Sequence, residues 1–135
     1  MPSRKEKQPA NGRIRVLIAD DQRPTRQGLK ALLALSPQVE VVGEAADGQE
    51  SVALVAECHP DVVLMDVQMP VPALSGAEGM DGLEATRRIK RRWPEVRVVV
   101  LTMSSAYRTA ALAAGADAFL VKGCPSEALR AAIGL

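Results

Sequence analysis

Two hydrophobic periods alternate along the chain from Ile14 onward. Short, nearly unbroken apolar runs occupy Ile14–Ala19, Val39–Val42, Val62–Met65, Val96–Leu101 and Ala118–Val121. They are rich in Val, Ile and Leu, the signature of strands buried on both faces. Between them lie segments of helical length with apolar positions three and four apart. Leu29, Leu32 and Leu33 mark the first, Val52, Val55 and Ala56 the second, and Leu83, Thr86, Ile89 and Trp93 the third. Ala-rich residues 104–114 suit a fourth helix, and Leu129, Ala132 and Ile133 a fifth. The punctuation agrees. Asp47 is placed to cap helix 2, Pro125 fits the first turn of helix 5, and Gly115 and Gly134 sit where helices 4 and 5 should stop.

Strands separated by helices require right-handed crossovers and a parallel sheet covered on both faces. The expectation is therefore an α/β fold with a doubly wound, five-stranded parallel sheet. Strand starts fall near residues 14, 39, 61, 96 and 117. The interval between the third and fourth is about ten residues longer than the others, beyond the short connections usual in such units. The excess falls in VPALSGAEG, residues 71–79, which reads as an enlarged loop, flexible and without catalytic groups.

Composition narrows the class without changing the fold. The chain has 135 residues, 47% apolar and 24% charged, which suits one domain with one ordinary core. Seventeen Lys and Arg stand against 16 Asp and Glu, for a formal charge of +1, so no chain-wide basic surface for nucleic acid is indicated. Residues 1–13 read as a flexible, solvated basic arm, with Arg4, Lys5, Lys7 and Arg13 against Glu6. Cys58 and Cys124 have neither disulfide-framework nor metal-ligand spacing. The opening residues lack the apolar core of a secretory signal, and no apolar run approaches the ~20 residues that span a bilayer. A soluble protein of a reducing compartment is expected.

Ligands of open α/β sheets bind beyond the carboxyl ends of the strands, where strand order reverses. Strand 1 runs into Asp20 and Asp21, strand 3 into Asp66, strand 4 into Thr102 and strand 5 into Lys122. Each has an ordinary reading. Asp20 or Asp21 can cap helix 1, Thr102 can cap helix 4, and Lys122 can be a solvated turn residue. Together they would line one edge. Three crowded carboxylates repel and favour a hard cation; oxygen ligands with room for water suit Mg²⁺. A carboxylate can also be the nucleophile in phosphoryl transfer, with a cation, an ammonium and a hydroxyl to meet the charge on the transferred group. Asp66, Mg²⁺, Lys122 and Thr102 would supply these parts.

At these residues the chain resembles the response-regulator receiver domains of two-component signalling. VLIADD (16–21), VVLMDVQMP (62–70), GMDGLEATRRI (79–89), VVVLT (98–102) and GADAFLVKG (115–123) each look like a receiver motif, in the family's order, over residues 14–133. The Lys-Gly pair at 122–123 is nearest to the nitrate-response, LuxR-type transcription regulators. The resemblance implies a flavodoxin-like (βα)₅ domain with strand order 2-1-3-4-5 over residues 14–135. It implies Asp66 as phosphoacceptor, and Asp20, Asp21, Asp66 and the backbone carbonyl of Gln68 as Mg²⁺ ligands, with Asp20 acting through water. Thr102 and Lys122 would contact the phosphoryl group, and Phe119 would be the aromatic switch on strand 5. Pro70 would shape the loop after the acceptor. A histidine kinase would donate the phosphoryl group, and the face of helix 4, strand 5 and helix 5 would change to control output, in a cytoplasmic protein that is not an enzyme in the ordinary sense. Homodimerisation on activation is an option; DNA would be reached only through an output domain that this chain lacks, and no membrane is involved.

Three departures from the family pattern stand out. VPALSGAE intervenes between Pro70 and Gly79, the stretch from Thr102 to Gly115 is about two residues shorter than is usual, and Met103 stands where a small residue is common. The alternative reading is a receiver-like interaction or dimerisation module that works without phosphorylation. A small phosphatase using Asp66 as a transient nucleophile is a more distant rival, since no separate general acid is apparent. His59 at the end of helix 2 has no catalytic partner and reads as structural or surface. The basic end of helix 3, from Arg87 to Arg92, reads as a solvated face complementing the helix dipole.

Overall fold

The computed structural model describes residues 12–69 and 80–135. Most of the expected basic arm, Pro70 and the enlarged loop at 71–79 lie outside the described residues. The elements run β1 (Ile14–Ala19), α1 (Arg23–Leu33), β2 (Val39–Ala45), α2 (Gly48–Cys58), β3 (Val62–Met65), α3 (Gly82–Arg92), β4 (Arg97–Thr102), α4 (Arg108–Ala113), β5 (Ala118–Val121) and α5 (Ser126–Ile133). All strand pairs are parallel, in the order β2-β1-β3-β4-β5.

Burial on both faces explains the unbroken apolar runs. Successive strand residues point to opposite sides, so Leu17, Ala19, Val63, Met65, Val98 and Val100 pack with Val55, Ala85 and Ile89 under α2 and α3. Val16, Ile18, Val62, Leu64 and Val99 pack on the other face with Leu33, Leu129 and Ile133 of α1 and α5. Each fully buried aliphatic side chain contributes about 1.5–3 kcal/mol of transfer free energy. The five strands therefore hold the carboxyl edge on a rigid base.

The boundaries differ from the sequence expectation where packing overrides pattern. β2 continues three residues past Val42, because pairing with β1 carries Gly43, Glu44 and Ala45 into the sheet although only one of them is a large side chain. β4 begins and ends one residue later than expected, since Val96 closes a turn by donating its amide to Trp93 O. In α2 the buried positions are Gly48, Ser51 and Val55, whereas Ala56 is exposed. Ser51 is tolerated inside because its hydroxyl donates to Gly48 O at 2.6 Å. Helix 4 is shorter than its expected 104–114 range: a 3₁₀ turn at Ser105–Tyr107 leads into the six residues of α4. Pro125 occupies the N-cap of α5 rather than its first turn.

The stop signals behave as expected. Gly115 and Gly134 follow α4 and α5 with φ of 101° and 103°, a region that L side chains rarely adopt. Asp47 caps α2 by accepting from the Glu50 amide at 2.8 Å, and the Glu50 carboxylate accepts in return from the Ala46 amide. Asp81 caps α3 in the same manner, through the Glu84 amide.

Candidate functional site

The sheet order reverses between β1 and β3, and this places their carboxyl ends side by side. Ala19 pairs with Met65 in register, so the next residues, Asp20 and Asp66, emerge at the same level. The Asp66 amide donates to Ala19 O at 2.9 Å and the Asp20 amide to Ala45 O at 2.9 Å, extending the ladder into the site. Asp21 follows Asp20 and is half-buried. Oxygens of Asp20, Asp21 and Asp66 lie within 4.8 Å of one another, an acidic pocket able to hold a metal ion.

Both inner carboxylates are nearly enclosed: Asp20 is 2% and Asp66 5% exposed. Their negative charge is met by Lys122, one residue past β5. Its Nζ donates to Asp20 Oδ2 at 2.6 Å and to Asp66 Oδ2 at 3.3 Å. Burial alone would lower the Lys122 pKa, but the two carboxylates outweigh it and hold the ammonium above its ordinary value. The remaining inner oxygens accept local amides, Asp20 Oδ1 from Gln22 N at 2.8 Å and Asp66 Oδ1 from Gln68 N at 3.1 Å. One ammonium against three carboxylates leaves the pocket with an excess of negative charge.

Thr102 ends β4 fully buried, and among the described residues its hydroxyl has no hydrogen-bond partner. A buried hydroxyl without a partner is costly, by roughly 1–3 kcal/mol. It does not cap helix 4; Ser104 does that work for the 3₁₀ turn, accepting from the Ala106 amide. Phe119 is turned inward, packed with Val100 and Ala111 in the core cluster. The Arg108 guanidinium lies 5.8 Å from its ring centroid. Met103, next to Thr102, is 68% exposed.

All the carboxyl-edge residues singled out from sequence therefore converge: Asp20, Asp21, Asp66 and Lys122 in direct proximity, and Thr102 and Phe119 on the adjoining strands. The ordinary readings of Asp20, Asp21 and Lys122 do not hold, since the N-cap of α1 is Gln22 and Lys122 is paired. The supporting contacts were not apparent from sequence. Gln68 Nε2 reaches Tyr107 Oη at 3.4 Å, linking the loop after Asp66 to the 3₁₀ turn. Gly82 lies against the Asp66 peptide, so closely that a Cβ there would fall 1.9 Å from Asp66 O. Arg26 donates to Asp20 O at 2.6 Å. The sequence shows this glycine only within the GMDGLEATRRI motif; a close backbone approach is the physical reason for it.

The other candidates lie elsewhere. His59 is the exposed C-cap of α2, and Cys58 and Cys124 are free thiols. Arg87 and Arg88 pair with Glu84, Lys90 with Asp117, and Arg92 covers the Trp93 ring, so much of the basic end of α3 is engaged locally. No helix among the described residues is long and apolar enough to cross a membrane.

A five-stranded parallel sheet with three carboxylates, a lysine and a threonine on its carboxyl edge defines a class of regulatory phosphoacceptor domains. The chain belongs to the response regulator receiver domain family, whose pattern it matches over residues 16–134. Within that family its relatives are of the NarL/LuxR type. It is 38% identical over 123 residues to the transcriptional regulatory protein DegU of Brevibacillus brevis, covering 90% of this chain and 49% of that protein. A LuxR-family two-component response regulator of Aurantimonas sp. superposes with a TM-score of 0.76 at 34% identity, over 88% of this chain and 81% of that one. The receiver domain of the response regulator NarL of Mycobacterium tuberculosis gives 0.74 at 33% identity, over 91% and 98%. The chain spans about half the length of DegU and of the response regulators GacA of two Pseudomonas species that it also matches.

Proposed function

We propose that Asp66 is the phosphoacceptor of a Mg²⁺-dependent switch, charged by a histidine kinase. The observation that carries this is the pairing of the nearly enclosed Asp66 with Lys122 beside two further carboxylates and a buried hydroxyl without a partner. An Asp66 carboxylate oxygen attacks the phosphorus of a phosphohistidine. The new O–P bond forms as the P–N bond breaks, and the electron pair returns to the imidazole nitrogen, which takes a proton from solvent. Lys122 Nζ sits where it can follow the transferred oxygens, and the Thr102 hydroxyl has a free donor to offer them.

The donor set fits a hard divalent cation: oxygen ligands only, an excess of negative charge, and one half-buried carboxylate open to water. Asp20, Asp21, Asp66 and the backbone carbonyl of Gln68 would hold it. When bound, Mg²⁺ would neutralise charge on the phosphoryl and carboxylate oxygens.

Engagement of Thr102 by the phosphoryl group draws the end of β4 towards the acceptor. Phe119 and Arg108 then bias the face made by α4, β5 and α5 between two arrangements, a population shift driven by contacts that only the phosphorylated state makes. In this reading residues 14–135 are the receiver unit and 1–13 an arm. The parent is a cytoplasmic transcription regulator that contacts DNA through a separate output domain, with homodimerisation as the activated form.

Intact-protein mass after incubation with acetyl phosphate tests the chemistry. One Mg²⁺-dependent phosphoryl adduct is expected, absent from folded Asp66→Asn. A folded wild-type chain without an adduct would favour a module that signals by interaction alone.

A further inference from the structure

The first turn of α1 runs against helix electrostatics. It contains Arg23 and Arg26 and no acidic residue, although unpaired N–H groups make a helix N-terminus unfavourable for cations. Arg26 is nevertheless well engaged, its side chain only 15% exposed. Its NH1 donates to the backbone carbonyl of Asp20 at 2.6 Å, and its Nε to Glu44 Oε1 on β2 at 3.0 Å. The other Glu44 oxygen is taken by Lys30 Nζ at 2.9 Å. The Asp20 amide meanwhile donates to Ala45 O. The peptide groups on both sides of Asp20 are thus tied to edge strand β2, one through the sheet ladder and the other through Arg26 and Glu44.

We propose that Arg26 is a positioning residue for the cation half of the site. By holding the Asp20 carbonyl against Glu44, it fixes the turn that aims Asp20 and Asp21 at the place a divalent cation takes. This rests on the Mg²⁺-dependent reading above. The free fork of an arginine suits the task, since one planar group reaches a carbonyl and a carboxylate together. Groups that orient metal ligands from behind change metal affinity by roughly 10–100-fold when removed.

The sign of the effect separates positioning from charge. Arg26→Ala removes a positive charge next to a cation site, so Coulomb attraction alone would tighten Mg²⁺ binding. Positioning predicts the reverse. Calorimetric titration of the full chain with Mg²⁺ should show about tenfold weaker binding in Arg26→Ala. Arg26→Lys, which keeps the charge and loses the fork, should fall between it and wild type. Phosphorylation of Arg26→Ala by acetyl phosphate should be slow at low Mg²⁺ and approach the wild-type rate at saturating Mg²⁺. Unchanged or tighter Mg²⁺ binding in folded Arg26→Ala overturns the proposal; if that variant does not fold, wild-type affinity in Arg26→Lys overturns it. A wild-type chain that binds no Mg²⁺ would instead overturn the functional reading itself, and the role of Arg26 with it.

Discussion

The two halves of the carboxyl edge are built differently. On the β1/β3 side every carboxylate oxygen of Asp20 and Asp66 has a donor, from an amide or from Lys122. The neighbouring helices α2 and α3 are eleven residues each and begin with aspartate caps. On the β4/β5 side the Thr102 hydroxyl has no partner, and β4 leads through a 3₁₀ turn into a six-residue helix that lacks a side-chain cap. Two of the exposed large apolar side chains, Met103 and Leu112, belong to that same stretch. The first half holds reacting groups in place with its hydrogen bonds spent. The second keeps hydrogen-bonding capacity in reserve and a short helix with few local restraints. In the proposed reading, the chemistry needs a fixed acceptor and the signalling an element with two arrangements, and this difference between the two halves of the edge suits both.

The comparison breaks most severely at Gly82. Alanine there would place Cβ 1.9 Å from Asp66 O, so either α3 or the acceptor peptide must move. Gly82→Ala should cost about 3 kcal/mol in denaturant unfolding, at the upper end for overpacking. It should also slow acetyl phosphate labelling of the folded fraction. A variant with wild-type stability and labelling would show that the β1/β3 half is not rigidly set.

Lys122→Ala comes next. It leaves two nearly enclosed carboxylates without their ammonium, a loss of about 2–3 kcal/mol, below the full cost of stripping a buried pair because Lys122 keeps some access to water. Added Mg²⁺ should restore more stability to this variant than to wild type, since the cation then meets a larger uncompensated charge. Thermal unfolding with and without Mg²⁺ reads both effects.

Thr102→Ala should be the mildest for the fold, within about 1 kcal/mol of wild type, because the hydroxyl has no protein partner to lose. Its effect should fall on the response. Labelling at Asp66 should persist, while hydrogen exchange in α4 and β5 should no longer change on phosphorylation. A large loss of stability would contradict the idea of reserve capacity in the β4/β5 half.

Much of this was legible in the chain itself. β1, β3 and β5 have the expected bounds, because each is an apolar run, broken only by Arg15 near the start of β1, that ends where Asp20, Asp66 or Lys122 follows. That same abruptness exposes the candidate site: β1, β3 and β5 run directly into Asp20, Asp66 and Lys122, and β4 ends in Thr102. The apolar run of edge strand β2 stops at Val42, because Gly43 and Glu44 interrupt it, yet the strand continues to Ala45. Glu44 is accepted in the sheet because Arg26 and Lys30 neutralise it, and they hold its carboxyl below the usual glutamate range, with Lys30 the larger influence. The face of α2 was misread for a related reason, since Ser51 and Gly48 look polar or neutral until their contacts are known.

By itself the sequence determined the alternation of strands and helices, the carboxyl edge and the residue types upon it, since these depend on local periodicity and on where apolar runs end. Only the tertiary structure decided that Lys122 pairs with Asp20 as well as Asp66, that Thr102 has no partner among the described residues, and that Gly82 lies against Asp66 and Arg26 against Asp20. These contacts join residues far apart in the chain, and no local pattern encodes a distance across a sheet.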